Sequence, residues 1–324
     1  MHTKFVYVLV CSDNDIYQEQ AFVSIWSLRH YNPDAKVLIV ADNKTAERVE
    51  KTSELRKMVS EIIAVDFEAG VPNKERSRWL KTNLRTLVDG DFLFLDTDTI
   101  ITESLSEVDS FDFDLGMVYS WHCKMVERPN KEGIMQRIKT LYGIDIGENT
   151  NYFNSGVIFC KDTEHARSFF STWHKFWKMG KDKPKGIQDQ QSLAVAVNEV
   201  GGVHALSGIY NCQPIYSIKH LSTAKIVHFF NLKWDDYKRT PFNTDEFYLD
   251  IKKNGYISEE KKQLILDCRS TFIAPSMLIC GEDINIWSSA IFNMLRKIQR
   301  NHKFIYRLLN SLSWRMGGGK SSAF

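Results

Sequence analysis

Phe92-Leu93-Phe94-Leu95-Asp96-Thr97-Asp98-Thr99-Ile100-Ile101 joins an apolar run, two acidic residues two apart, and a second apolar stretch. Four consecutive apolar residues after Asp89-Gly90-Asp91 suit a short strand buried on both faces, as in the middle of a parallel sheet. Open α/β sheets bind ligands at the carboxyl ends of such strands. Side chains two apart on an extended backbone point the same way, so Asp96 and Asp98 can share one divalent cation. Asp-x-Asp also arises as plain turn or cap chemistry. Here the flanking apolar runs argue against a solvated loop, because two charges beside a core without a counter-ion are costly.

Outward toward the amino terminus, Phe5 to Val10 reads as a first strand that ends in the polar loop Cys11-Ser12-Asp13-Asn14-Asp15-Ile16-Tyr17. A helix follows with Ala21, Phe22, Ile25, Trp26 and Leu28 on its core face, stopped by Asn32-Pro33-Asp34 before a second strand, Val37 to Val40. Lys44 to Met58 reads as a solvated helix and Ile62 to Val65 as a third strand, an alternation that predicts a parallel sheet covered by helices. Ser77 to Val88 reads as a helix with Leu80, Leu84, Leu87 and Val88 inward and Arg78, Lys81 and Arg85 on a basic face. Because it leads into the Asp96 strand, one or two of those cations can face an anionic ligand there.

Toward the carboxyl terminus, Leu115 to Tyr119 reads as a strand and Ser120 to Asn151 as a long, weakly periodic segment of the lid or binding-loop kind. Asn154-Ser155-Gly156 opens the run Val157 to Cys160. Asp162 or Thr163 can cap a helix with Ala166, Phe169, Phe170, Trp173, Phe176 and Trp177 at helical spacing, a stripe that reads as core. After a basic loop, Gln188-Asp189-Gln190-Gln191 starts a helix that ends at Gly201-Gly202, with Asp189 a natural N-cap. Lys225 to Phe230 reads as a strand carrying His228, followed by Lys233-Trp234.

The 324 residues, 43% hydrophobic and 25% charged, are ordinary for a globular protein with a large core. A net charge of +2 makes no general case for a nucleic-acid partner. The average hides an asymmetry: no acidic residue follows Asp283, while Arg296, Lys297, Arg300, Lys303, Arg307, Arg315 and Lys320 do. Interleaved with Ile286, Trp287, Ile291, Phe292, Leu295, Phe304, Leu308 and Leu312, these cations describe a basic amphipathic helix suited to an anionic membrane surface, or to packing on a main domain. Cys11, Cys123, Cys160, Cys212, Cys268 and Cys280 form no Cys-x-x-Cys pair, so neither zinc nor a disulfide framework is signalled. Met1-His2-Thr3-Lys4 carries no small-residue cleavage site, and no apolar run approaches the roughly 20 residues of a membrane span. The expected location is cytoplasmic, with the basic helix peripheral on the membrane's cytoplasmic face. The chain divides in sequence character near 240, into an α/β domain, 1–240, and a helical extension, 241–324, with a flexible tail.

The order of these features resembles a GT-A glycosyltransferase, closest to the family 8 type, over about Lys4 to Trp234. The resemblance implies an α/β fold with a mostly parallel central sheet, helices on both faces and a C-terminal helical extension. It implies that the loop Cys11, Ser12, Asp13 through Tyr17 holds the base and ribose of a nucleotide-sugar donor, a UDP-sugar in the favoured case, with Tyr17 stacking on the base. Asp96, Asp98 and His228 would bind manganese or magnesium, with Asp96 and Thr97 also near the nucleotide. Arg78, Lys81 and Lys233 would add positive charge at the phosphates, and Asn154 and Ser155 would contact the donor sugar. Asp189 and Gln190 would sit beneath the anomeric carbon, in a reaction that retains configuration. Whether either acts as nucleophile, or the leaving diphosphate takes the acceptor proton, stays open. The family's glycine and proline after the histidine are missing from His228-Phe229-Phe230-Asn231-Leu232-Lys233-Trp234. The acceptor is expected to be a glycan or a lipid-linked glycan. Two rivals are a haloacid-dehalogenase-like phosphatase, whose Asp-x-Asp normally follows the first strand, and a non-catalytic nucleotide-sugar-binding subunit.

Overall fold

The structure, a computed structural model, describes residues 1–184, 186–230, 240–271 and 289–316, with side chains described to residue 313. Nine strands are described: β1 (Lys4–Leu9), β2 (Lys36–Asp42), β3 (Glu61–Val65), β4 (Phe92–Leu95), β5 (Thr99–Ile101), β6 (Leu115–Tyr119), β7 (Phe153–Cys160), β8 (Val203–Ala205) and β9 (Ile226–His228). Seven form one sheet in the order β3-β2-β1-β4-β7-β6-β8, while β5 and β9 pair antiparallel in a second. The quoted stretch supplies the sheet's centre, because β4 is parallel to β1 on one side and antiparallel to β7 on the other. Only β7 runs against the rest, so its first residues lie at the same edge as the carboxyl ends of β1 and β4. That reversal brings Asn154 and Ser155 to the ligand edge of the sheet.

Alternation along each strand divides the core between the two faces. Phe5, Tyr7, Leu9, Leu93, Leu95, Val157 and Phe159 pack on one side with α1 (Tyr17–Tyr31). Val6, Val8, Phe92, Phe94, Ile158 and Cys160 pack on the other. The second face is closed by Leu80 of α4 (Asn73–Thr82), Leu84 of α5 (Leu84–Leu87) and the two later helices Glu164–Gly180 and Asp189–Val200, whereas α2 (Asn43–Lys51) and α3 (Ser53–Met58) pack on the first through Ala46, Val49 and Leu55. The aromatic stripe of α7 (Glu164–Gly180) is buried, and Thr163 caps it by accepting from Ala166 N–H at 3.2 Å. Its indoles also hold the chain ahead of α8 (Asp189–Val200): Trp173 Nε1 donates to Asp189 O at 3.0 Å and Trp177 Nε1 to Ile187 O at 3.2 Å.

Several helices depart from the sequence reading. The segment 120–151 is not irregular throughout, since α6 (Lys131–Tyr142) occupies part of it, with Ile138, Leu141 and Tyr142 buried and Gly143 turning left-handed at φ 72. Ser77 to Val88 is two helices rather than one, because Asn83 leaves helical geometry at φ −101, ψ 5 between α4 and α5. Their cations are not a solvated face: Lys81 is 3% exposed and Arg85 1%. Arg85 serves the core, with its guanidinium over the Phe92 ring and 3.5 Å from Asp162.

The chain divides into two compact units, Met1–Phe272 and Ile273–Phe324. Helices α9 (Asp245–Asn254) and α10 (Glu259–Leu266), which the sequence reading groups with the extension, lie in the first unit, where Phe247, Tyr248, Ile251 and Ile265 join the core that contains Ile25 and Leu28. The second unit holds helices Ala290–Asn301 and Lys303–Met316. Among the described residues no helix is long and apolar enough to cross a membrane.

Candidate active site

Asp96 follows β4 directly, and its backbone N–H donates to Gly156 O of β7 at 2.8 Å. Asp96-Thr97-Asp98 is a turn between β4 and β5 rather than the extended backbone expected, and Thr99 Oγ1 closes it by donating to Asp96 O at 2.8 Å. The two carboxylates converge even so, because β5 turns back to pair with β9, whose last residue is His228. One ligand atom from each of Asp96, Asp98 and His228 lies within 4.8 Å of the others. His228 Nε2 is 3.1 Å from Asp98 Oδ1, and the histidine is 2% exposed. Burial alone would raise the Asp98 carboxyl; the His228 imidazole outweighs it and holds the group below its ordinary value. Two carboxylates and an imidazole can together hold a divalent cation, so the residues present fit the implied metal.

Around this centre the charges interlock. Lys81 Nζ donates to both oxygens of Asp96, at 2.9 and 3.1 Å, and lies 3.5 Å from Asp189 Oδ2. A carboxylate has about four lone-pair sites, so Asp96 can accept Lys81 and still bind a cation. Arg78 Nε is 2.9 Å from Asp189 Oδ1, and Ser155 Oγ donates to Asp189 Oδ2 at 2.9 Å. Asp189 is therefore not the N-cap of α8; Gln188 holds that position, and the carboxylate is buried, 5% exposed, against two cations. Its burial would raise the carboxyl, but Lys81 first and then Arg78 and Ser155 hold it far below the usual range.

That shift has a direction in pH. A carboxyl depressed in the folded state contributes stability above its unfolded value, about 4, and loses it as pH falls toward the folded value. Asp189→Asn is thus expected to be less stable than the parent at pH 7, with the gap narrowing below pH 4 by up to about 1.4 kcal/mol per pH unit. Urea unfolding of both proteins between pH 7 and 2 checks this, and a gap independent of pH would contradict it.

The remaining predicted residues fall in two groups. Cys11, Ser12, Asp13 and Tyr17 lie together beyond the end of β1. Cys11 N–H donates to Thr45 Oγ1 at 3.0 Å, and burial pushes its thiol up to about 12, which makes the side chain neutral packing. Ser12 N–H and Oγ donate to Asp15, Arg48 pairs with Asp13, and Tyr17 opens α1 with 42% of its surface exposed. Lys252 of α9 braces this loop by donating to Asp13 O at 2.7 Å and Asp15 O at 2.6 Å. Asp13 to Tyr17 line a cavity of about 270 Å³ together with Asp245, Leu249 and Lys252, while Cys11 and Ser12 lie outside its lining.

At the sheet edge, Gln190 Nε2 donates to Phe153 O, which ties α8 to the start of β7. Asn154 is 8% and Ser155 6% exposed. Lys233 lies outside the described residues. Gly156 is required by space: a Cβ there would lie 2.6 Å from His228 Nδ1, closer still to Cε1, and 2.9 Å from Asn154 Oδ1. Gly156→Ala is expected to lower stability by about 1–3 kcal/mol through overpacking, read as a shifted urea midpoint. An unshifted midpoint would mean the histidine moves aside freely.

Sequence reading missed Lys252, Asn211 and Phe230. Asn211 bonds the His228 ring, and Phe230, at φ 51, stacks on it with centroids 3.9 Å apart. No spacing or motif marks Lys252 or Asn211, which meet the site only through the tertiary fold, while Phe230 lies two residues after His228 and carries no motif that marks the stacking.

Solved structures of similar fold include LgtC, a galactosyltransferase in complex with donor and acceptor sugar analogs, at 18% identity and TM-score 0.53, covering 81% of this chain and 99% of that one. An active-site mutant of LgtC gives 20% identity and TM-score 0.54 over 80% and 99%. The bifunctional glycosyltransferase WbbM gives 16% and 0.52 over 82% and 51%. No curated protein matches the chain at a significant level. The profile described as the Rhodobacterales glycosyltransferase domain matches residues 8–201, more than half of the sequence. The chain therefore belongs to the Rhodobacterales glycosyltransferase domain family, and is a glycosyltransferase of the GT-A fold resembling the family 8 type.

Proposed function

We propose that this enzyme moves a sugar from a UDP-sugar to a glycan or lipid-linked acceptor, with manganese or magnesium at Asp96, Asp98 and His228 and with retention of configuration. The observation that carries the reading is the convergence of those three ligand atoms within 4.8 Å beside Lys81. A divalent cation held there would neutralise charge on the departing diphosphate. Lys81 and Arg78 add fixed positive charge at the same edge, already oriented by Asp96 and Asp189. Tyr17, exposed beside the cavity at the end of β1, offers its ring to the base. Asn154 and Ser155 start β7 at the ligand edge and are suited to the donor sugar's hydroxyls.

Asp189 reads as an electrostatic anchor rather than a nucleophile, since both oxygens are engaged by Arg78, Lys81 and Ser155. Gln190 is committed through its amide to Phe153. Retention then proceeds by same-face attack, with the acceptor proton leaving to the diphosphate. The LgtC structure, of the same fold, holds donor and acceptor sugar analogs, which agrees with a two-substrate cleft. A panel of nucleotide sugars with and without Mn2+ tests the proposal: slow, metal-dependent release of UDP from one donor is expected. Binding without release across the panel would instead support the non-catalytic subunit.

The second unit supports a peripheral place on the cytoplasmic face of an anionic membrane. Phe304 is 80%, Ile291 65% and Leu308 54% exposed, on helices whose charged residues are all basic. Sedimentation with vesicles of anionic lipid should fall about tenfold on Phe304→Glu with Leu308→Glu, and should weaken with salt. Binding that ignores both would refute it.

A further inference from the structure

A chain of buried hydrogen bonds determines which ring nitrogen of His228 faces the two aspartates. Gly156 N–H donates to Asn154 Oδ1 at 2.8 Å. A backbone amide only donates, so the orientation of the Asn154 amide is settled by this bond. Asn211 Nδ2 donates to the same Asn154 oxygen, also at 2.8 Å, which turns Asn211 Oδ1 the other way. That oxygen meets His228 Nδ1 at 3.0 Å. A carbonyl oxygen only accepts, so Nδ1 carries the hydrogen, and Nε2 is left as the nitrogen that turns toward Asp98. Asn154 is 8%, Asn211 0% and His228 2% exposed, so little water can re-sort these bonds.

We propose that Asn211, oriented by Asn154 and the Gly156 amide, is a positioning residue that sets the His228 tautomer and presents Nε2 as the third metal ligand. This rests on the metal reading above and adds to it the group that makes the histidine a ligand. Ligating histidines commonly give their other ring N–H to such a partner, which aims the ring and selects the tautomer. The backbone carries the two groups in register: Cys212 N–H donates to Ile226 O and His228 N–H to Cys212 O, each at 2.8 Å. Phe230 stacks on the ring at an interplanar angle of 16°. The relay also engages the Asn154 carbonyl oxygen twice, so only its amide nitrogen remains to meet a sugar.

Nitrogen-15 NMR of the full chain with labelled histidine, without metal and with Cd2+ as a diamagnetic probe, tests the tautomer directly. His228 is expected to keep its Nδ1 proton in both states, with the Cd2+ effect at Nε2; a bare Nδ1 would overturn the proposal. In Mn2+ titrations followed by electron paramagnetic resonance, Asn211→Leu should weaken binding about 10–100-fold. Asn211→Asp, which keeps an acceptor at Nδ1 but sets its second oxygen against Asn154 Oδ1, should recover much of the binding lost in Asn211→Leu. A merely structural asparagine would show no such rescue, and an Asn211→Leu protein that binds Mn2+ as the parent does would overturn the assignment. Should that variant fail to fold, the parent spectrum decides alone. A parent chain with the Nδ1 proton but no affinity for Mn2+ would sink the metal reading and not the tautomer relay.

Discussion

Lys81→Met is expected to destabilise the protein by about 3–5 kcal/mol, the cost of removing one partner from a buried ion pair. Lys81 is only 3% exposed and is the cation shared by Asp96 and Asp189. Methionine fills much the same volume, so the loss isolates the charge: two carboxylates would face each other with Arg78 alone to compensate. Thermal unfolding should shift down on the order of 10 °C. Lys81→Met combined with Asp189→Asn should recover part of the loss, because one unpaired carboxylate is removed with its counter-ion. Lys139→Met supplies the control: Lys139 and Asp145 are 55% and 72% exposed, and loss of that pair should cost under about 1 kcal/mol. Equal effects of the two lysine variants would show that the buried cluster contributes no more than a surface pair.

Asp98→Ala should reduce Mn2+-dependent UDP release on the order of 10²–10³-fold, a loss of the size seen when one preorganised stabilising group is deleted. The backbone should survive the change, because the contact that fixes this turn, Phe229 N–H to Asp98 O at 3.0 Å, uses the main chain. Unfolding measured in parallel should therefore move far less than for Lys81→Met, separating a lost site from a lost fold. Release that persists with unchanged Mn2+ dependence would take Asp98 out of the metal site. A covalent phospho-aspartate on Asp96 after incubation with phosphomonoesters would instead point to the phosphatase reading, though the motif follows β4, with β1, β2 and β3 ahead of it in the chain.

The variants test the two halves of one arrangement. Lys81, Arg78 and Asp189 hold fixed charge at the sheet edge, and Asp96, Asp98 and His228 converge beside it as the proposed cation pocket. The arrangement depends on β7, which runs opposite to its neighbours and brings Asn154, Ser155 and Gly156 to the edge where β4 ends.

Local pattern determined the strands that centre the sheet, the buried aromatic helix and the acidic pair, because burial periodicity and an apolar run beside charges are properties of neighbouring residues. The order of those pieces sufficed to mark the family resemblance. It did not reveal that Asp96-Thr97-Asp98 is a turn, since a turn and an extended strand can both bring two nearby carboxylates together. The fate of Asp189 was also hidden: an acidic residue at a helix start reads as a cap until Arg78 and Lys81, about a hundred residues earlier, are folded against it. Asn211 carries no local signal at all. Its bond to His228 spans 17 residues and its bond to Asn154 spans 57, so only the tertiary structure could decide which nitrogen of the histidine faces Asp98.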